Sequence, residues 1–182
     1  MKRIFFIALT FFSMQTISAQ ETPTAISKGK WMVETNLSPL TGLSTSGFSF
    51  YSNNGARLWS VGGEAGYFFQ DKLAVKAGLG FSGQKYAFDF DGQKIELNST
   101  HSFIYKAGLK YYIINQLPVQ VDLGGINSGG ENAFIFGGQL GYALFVKENI
   151  AIEPAVRYDH GLNDNADGIN AFSARIGFSL HF

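Results

Sequence analysis

The run Ala171-Phe172-Ser173-Ala174-Arg175-Ile176-Gly177-Phe178-Ser179-Leu180-His181-Phe182 alternates throughout. The even-numbered residues are all apolar, and those between them are mostly polar, charged or small. A period of two sustained over this length is a β-strand with two unlike faces. In a water-soluble sandwich the polar face looks at water. In a membrane barrel the apolar face looks at lipid and the polar face at a lumen. A tilted strand needs roughly 9–11 residues to cross the bilayer core, and this one has that length. Arg175 stands in mid-strand on the polar face.

Working back from the end, the same alternation recurs. It predicts strands over Arg57 to Phe69, Leu73 to Tyr86, His101 to Ile113, Pro118 to Gly125, Ala133 to Val146 and Ile150 to Tyr158. Trp31 to Tyr51 reads as one first strand interrupted at Pro39, or as two strands. Apolar residues make up 46 % of the chain, yet alternation keeps them from clustering. The connections near 70–72, 115–116 and 147–149 are short. Those near 87–100, 126–132 and 159–170 are longer and rich in Asp, Asn and Gly. Aromatics gather at both strand ends: Trp31, Tyr67, Phe69, Tyr111, Phe145 and Phe182 towards the short turns, and Trp59, Phe81, Phe103, Tyr105, Phe134, Tyr158 and Phe172 towards the loops. Two girdles with short turns at one end are the outer-membrane arrangement. The predicted fold is all-β, a transmembrane antiparallel up-and-down barrel of about eight strands.

Lys2 and Arg3, the apolar run Ile4 to Phe12 and the exit Ser13 to Ala19 read as a signal peptide over residues 1–19. The apolar run is far shorter than the roughly 20 residues of a spanning helix. Residues 20–30 read as a flexible polar lead-in, and 31–182 as the barrel. The leader holds two of the 14 basic residues and none of the 14 acidic ones, which leaves 12 against 14, a net −2. That charge gives no basis for nucleic-acid binding. The absence of cysteine excludes disulfides and a lipoprotein attachment site.

The leader, Gly66-Tyr67-Phe68-Phe69, Leu73-Ala74-Val75-Lys76-Ala77-Gly78-Leu79-Gly80 and the terminal Gly177-Phe178-Ser179-Leu180-His181-Phe182 together resemble the small outer-membrane β-barrel domain family, the OmpA-type membrane domain and OmpX. The resemblance covers nearly the whole mature chain. It implies the outer membrane of a Gram-negative bacterium, with both termini periplasmic. It also implies contact with outer-membrane lipid and lipopolysaccharide, and passage through periplasmic chaperones and the barrel-assembly machinery. Phe182 resembles the terminal signal that this machinery reads. The family implies no single activity.

Several motifs suggest chemistry and are outweighed. Gly78 to Gly83 spells a dinucleotide fingerprint, but it lies inside a strand with no helix following, so small lumen residues are the better account. Asp89-Phe90-Asp91 and Asp159-His160 could be set beside an omptin-type protease. Adjacent Asp159 and His160 would face opposite ways, however, and both pairs read as solvated loop ends. Ser99 or Ser128 could serve His160 only if loops brought them near. His101 and His181 fall at opposite ends of the barrel and share no metal. Asn163 to Gly168 begins like a calcium loop, but Ala174 stands where its twelfth-position acid should be. No catalytic, cofactor or metal site is assigned, and the chain is not read as an enzyme.

The informative set is the inward charges: Glu34, Glu64, Asp122 and Glu153 against Lys76, Lys106, Lys110, Arg157 and Arg175. They line a selectivity channel or fill the lumen as ion pairs. Eight strands leave an interior that side chains fill, which favours the second. Arg175 is expected to pair with Glu34 or Glu153. The expected function is a packed-lumen outer-membrane barrel with a structural or surface-interaction role through its extracellular loops. The alternatives are a small porin-like channel and an outer-membrane hydrolase.

Overall fold

Strand alternation this regular forces a sheet with one apolar face, and closing the sheet on itself removes its unpaired edges. The computed structural model describes residues 24–37, 47–53, 55–90 and 93–182, with the backbone alone for 88–90, 93, 94 and 96. The leader, Pro39 with its neighbours and Asp91 lie outside the described residues. The strands are β1 Trp31–Leu37, β2 Phe48–Asn53, β3 Ala56–Gln70, β4 Leu73–Lys85, β5 Ala87–Phe90, β6 Gln93–Glu96, β7 Thr100–Tyr112, β8 Pro118–Ser128, β9 Glu131–Gly141, β10 Leu144–Lys147, β11 Ile150–Gly161 and β12 Asn170–His181.

The sheet runs β1-β12-β11-β9-β8-β7-β4-β3, and β1 also pairs with β3, so it closes into an eight-stranded antiparallel barrel. β1 and β2 share one place in the wall. β1 lies on β3 from Trp31↔Tyr67 to Glu34↔Glu64, and β2 continues along β3 from Phe48↔Val61 to Asn53↔Ala56. β9 and β10 likewise make one wall strand, broken at Tyr142 and Ala143 rather than continuous. The reason is Pro154 opposite, which has no N–H for the ladder. Its carbonyl accepts from Tyr142 N (2.9 Å), while Ala143 N donates to Gln116 O (2.7 Å).

The loop end is tighter than the composition predicts. The loop expected over 126–132 is a two-residue turn, because β8 runs on to Ser128 and Ser128 faces Glu131. Gly129 and Gly130 both have positive φ (61° and 93°), which suits a tight hairpin and favours glycine. Residues 86–99 carry the β5–β6 hairpin, whose strands pair only with each other.

Burial follows parity. Outward Val33, Val75, Leu79, Leu123, Ile176, Phe178 and Leu180 are all at least 40 % exposed, while the inward polar residues are buried. An apolar exterior around a polar interior is a barrel built for lipid. Trp31 and Tyr67 (5.0 Å), and Phe81 and Phe103 (4.9 Å), pair within the outer bands. Phe145 departs from the expected girdle. It turns inward and packs against the barrel's lower core, 5.7 Å from the His181 ring.

That lower core closes one mouth. The lead-in expected to be flexible is seated there from Thr24 onwards as a short 3-10 turn, Thr24–Ile26. Ile26 is buried among Met32, Phe68, Ala74, Tyr112, Ala143 and Ala151. Backbone bonds fix it: Lys72 N donates to Ile26 O (2.8 Å) and Gly29 N to Phe68 O (2.7 Å). The apolar Ile26 within an otherwise polar stretch is what holds it there. The opposite mouth is narrowed by a second cluster, Ile104, Ile135 and Ala166, with Ile126, Ala133 and Ile169 against it.

Candidate functional site

Between the two apolar clusters lies the charged lumen, and its first problem is set by register. Glu34 and Glu64 are direct cross-strand partners, a repulsive pairing of like charges. Lys76 relieves it by meeting both Glu34 Oε2 and Glu64 Oε2 at 2.9 Å. Asn36 Nδ2 donates to Glu34 and Glu64 at 3.2 Å each. Lys106 Nζ lies 2.6 Å from Glu64 Oε1. Gly78, between Glu64 and Lys106 in the ladder, makes room for this contact, since a Cβ there would stand 3.0 Å from Glu64 Cγ.

Lys110 reaches across the barrel from β7. It meets Glu34 Oε2 at 2.7 Å and also Glu153 on β11. Glu153 accepts further from Tyr112 Oη (3.0 Å) and Ser179 Oγ (3.1 Å). Higher up, Arg157 grips Asp122 with two bonds, Nη1 to Oδ2 at 2.8 Å and Nη2 to Oδ1 at 2.6 Å. Its Nε also donates to Asp159 Oδ1 at 2.9 Å. This planar fork needs a flat neighbour. Gly137 supplies one, because a Cβ there would fall 1.8 Å from Arg157 Nη2.

The nine charged residues named from the sequence all point inward and are buried. The contacts bring eight of them together. Arg175 is the exception: the expected pairing with Glu34 or Glu153 does not form. Glu34 is held by Lys76 and Lys110, and Glu153 by Lys110, Tyr112 and Ser179. Among the described residues, Arg175 Nη2 donates to Ser173 Oγ alone, at 3.3 Å.

A fifth acid, Asp159, completes the set. Reading β11 as ending at Tyr158 assigned it to a solvated loop. The strand runs on to Gly161, and parity carries Asp159 into the lumen, where it is buried. His160 faces the other way and is exposed, its Nδ1 2.7 Å from Asn170 Oδ1. Asp159 and His160 therefore cannot activate one water. The Asn163–Gly168 stretch is committed to the wall: Asn163 Oδ1 accepts from Phe134 N (2.8 Å), and the Asn163 and Asn165 amides donate to Asn132 O. Among the described residues no group of three or more His, Cys, Asp or Glu could hold a metal. His181 is buried at the lower mouth, its Nδ1 3.0 Å from Ala25 O.

An inside-out barrel with eight wall strands, a charged interior and an apolar cluster towards each mouth decides the comparison with solved structures. This is the fold of the small outer-membrane β-barrels. The outer membrane protein Ail of Yersinia pestis, in a phospholipid nanodisc, is similar with a TM-score of 0.52 at 14 % identity, over 85 % of this chain and 100 % of that one. OprG of Pseudomonas aeruginosa is similar with a TM-score of 0.53 at 15 % identity, over 86 % and 97 %. No protein-family model and no curated protein matches the chain. The outer-membrane barrel architecture thus rests on shape and on the parity of the wall, not on sequence identity.

Proposed function

We propose that this chain is an integral outer-membrane barrel with a packed lumen, which works through its surface-exposed end rather than as a channel. The observation that carries the reading is the closed stack inside it. A lower apolar plug around Ile26, a middle layer of ion pairs and an upper cluster around Ile135 fill successive levels. Eight strands leave room for side chains and little else. The β5–β6 hairpin pairs with no wall strand, and Tyr86, Ile95 and Leu97 in and beside it are exposed. The start of β1 and the end of β12 meet at the short-turn end, where Trp31 N donates to Phe182 O (2.8 Å), and with that end periplasmic this hairpin would face the outside of the cell. Phe182, more than half exposed at the end of β12, would be the residue read by the barrel-assembly machinery, and periplasmic chaperones would escort the chain to it. Lipid and lipopolysaccharide would bathe the apolar wall.

The test is single-channel recording in a planar bilayer, together with surface adhesion of cells carrying a hairpin deletion over 87–96. A silent barrel and loss of adhesion on deletion are expected. Stable porin-sized openings would overturn the packed-lumen reading and favour the channel.

A further inference from the structure

The outer wall is not smooth. Around Pro154 it carries an open apolar groove of about 870 Å³, lined among others by Leu37, Leu140, Pro154, Val156, Ala174 and Ile176. All six are exposed on the lipid-facing side. Two features hollow the wall here. Ala174 is short where its outward neighbours along β12, Phe172 and Ile176, are long, and Pro154 interrupts the ladder between β9 and β11. Two residues from Leu140 towards the loop end stands Gly138, in register with Tyr158, and an added Cβ there would meet nothing within 4 Å.

Above this trough a polar group is set into the aromatic band. Tyr158 Oη donates to Asn170 Oδ1 at 3.1 Å, and His160 Nδ1 lies 2.7 Å from the same oxygen. An amide oxygen only accepts, so His160 carries its proton on Nδ1 and keeps a lone pair on Nε2. The Asn170 amide nitrogen remains as a donor. Exposed Phe136, the ladder partner of His160, and exposed Phe172, next to Asn170 on the outward face of β12, flank the pair. From His160 to Pro154, six residues along β11, the strand covers roughly 20 Å. At a tilt of roughly 40° that is about 15 Å of depth, half of the roughly 30 Å hydrocarbon core. Polar head and apolar trough thus stand one leaflet apart.

From this arrangement we infer that the wall from β9 to β12 seats one sugar-headed lipid of the loop-end leaflet, with an acyl chain in the groove and the sugar on His160 and Asn170. A sugar hydroxyl donates to His160 Nε2, and a neighbouring sugar oxygen accepts from Asn170 Nδ2. The apolar C–H face of the ring rests on the flanking phenylalanines. A headgroup with acceptors alone would leave Nε2 without a donor. Between an apolar wall and lipid tails there is no hydrophobic gain, so shape decides, and a trough touches a chain on more sides than a flat wall does. The inference rests on the lipid-facing reading of the wall and is independent of what the hairpin binds.

The experiment mixes the full mature chain, refolded in detergent micelles, with equal amounts of glucosyl diacylglycerol, phosphatidylglycerol and phosphatidic acid of matched acyl chains. After dilution into fresh detergent, native mass spectrometry reads what stays bound. Gel mobility in SDS without boiling reports separately whether each sample is a folded barrel. The expected result is one glucosyl diacylglycerol per wild-type barrel. Ala174→Phe fills the trough with an apolar side chain on the lipid face, keeps the fold and loses the lipid. Val75→Phe, on the lipid face of the opposite wall, retains it. His160→Phe loses the preference for the sugar headgroup. Retention unchanged in Ala174→Phe overturns the inference, as does equal retention of all three lipids by the wild type. Preferential retention of phosphatidylglycerol or phosphatidic acid, or a sugar preference that survives His160→Phe, also overturns it. A dimer mass that disappears in Ala174→Phe gives the groove to a second copy of the chain and overturns it as well.

Discussion

Arg157 and Arg175 stand in neighbouring inward positions of adjacent strands, yet they should respond oppositely to removal. Arg157→Met strips Asp122 and Asp159 of their cation. Removing one partner of a buried pair typically costs about 3–5 kcal/mol. Arg175→Met breaks no protein ion pair and should cost clearly less. Urea unfolding in detergent measures both, and a larger loss for Arg175→Met would show that the lumen contacts are wrongly assigned. Gly137→Ala tests the same corner sterically. Its methyl would run into the Arg157 guanidinium and would stand 2.8 Å from Asp122 Oδ1. Overpacking of this kind costs about 1–3 kcal/mol. An unchanged urea midpoint for Gly137→Ala would mean that Arg157 lies elsewhere. The sequence carried these residues only in part. Parity alone placed Arg157 and Asp122 inside. Asp159 was assigned to a loop, because the strand was taken to end at Tyr158, three residues before Gly161.

At the scale of the element, β12 shows what alternation settles and what it leaves open. Phe178 lies on the outer face in the interior of the strand, so Phe178→Lys puts a charge into lipid. The cost near mid-bilayer is about 2–4 kcal/mol. Asn170, exposed at the rim, is the fitting control, and Asn170→Lys should cost about 0–1 kcal/mol. Unfolding in reconstituted membranes compares them, and equal losses would reverse the face assignment. By parity Ser173 is a lumen-face position near the loop end of the strand. In the barrel it is 5 % exposed, bonds Arg175 and lies opposite Arg157 in the ladder, so a lysine there would add a third cation. The lead-in shows the same limit. Its polar composition reads as loose chain, whereas Ile26 seats it in the mouth.

The whole molecule is a closed ladder, and closure makes a prediction of its own. In lipid every backbone polar group must be paired within the protein, and the β1–β12 pairing completes the circuit. The unheated protein should therefore stay folded in SDS and migrate differently on a gel from the boiled protein. Identical mobility before and after boiling, with a helical circular dichroism spectrum, would reject the barrel. The sequence by itself determined the wall: period-two alternation fixes which side chains face lipid and which face the lumen, since neighbours in a strand must point opposite ways. Only the tertiary structure decided the pairings inside. Lys110 meets Glu34 and Glu153 from strands far apart in the chain, and Arg175 meets neither. Those distances depend on strand stagger and closure, which place residues along the barrel axis, and a local repeat carries no information about that axis.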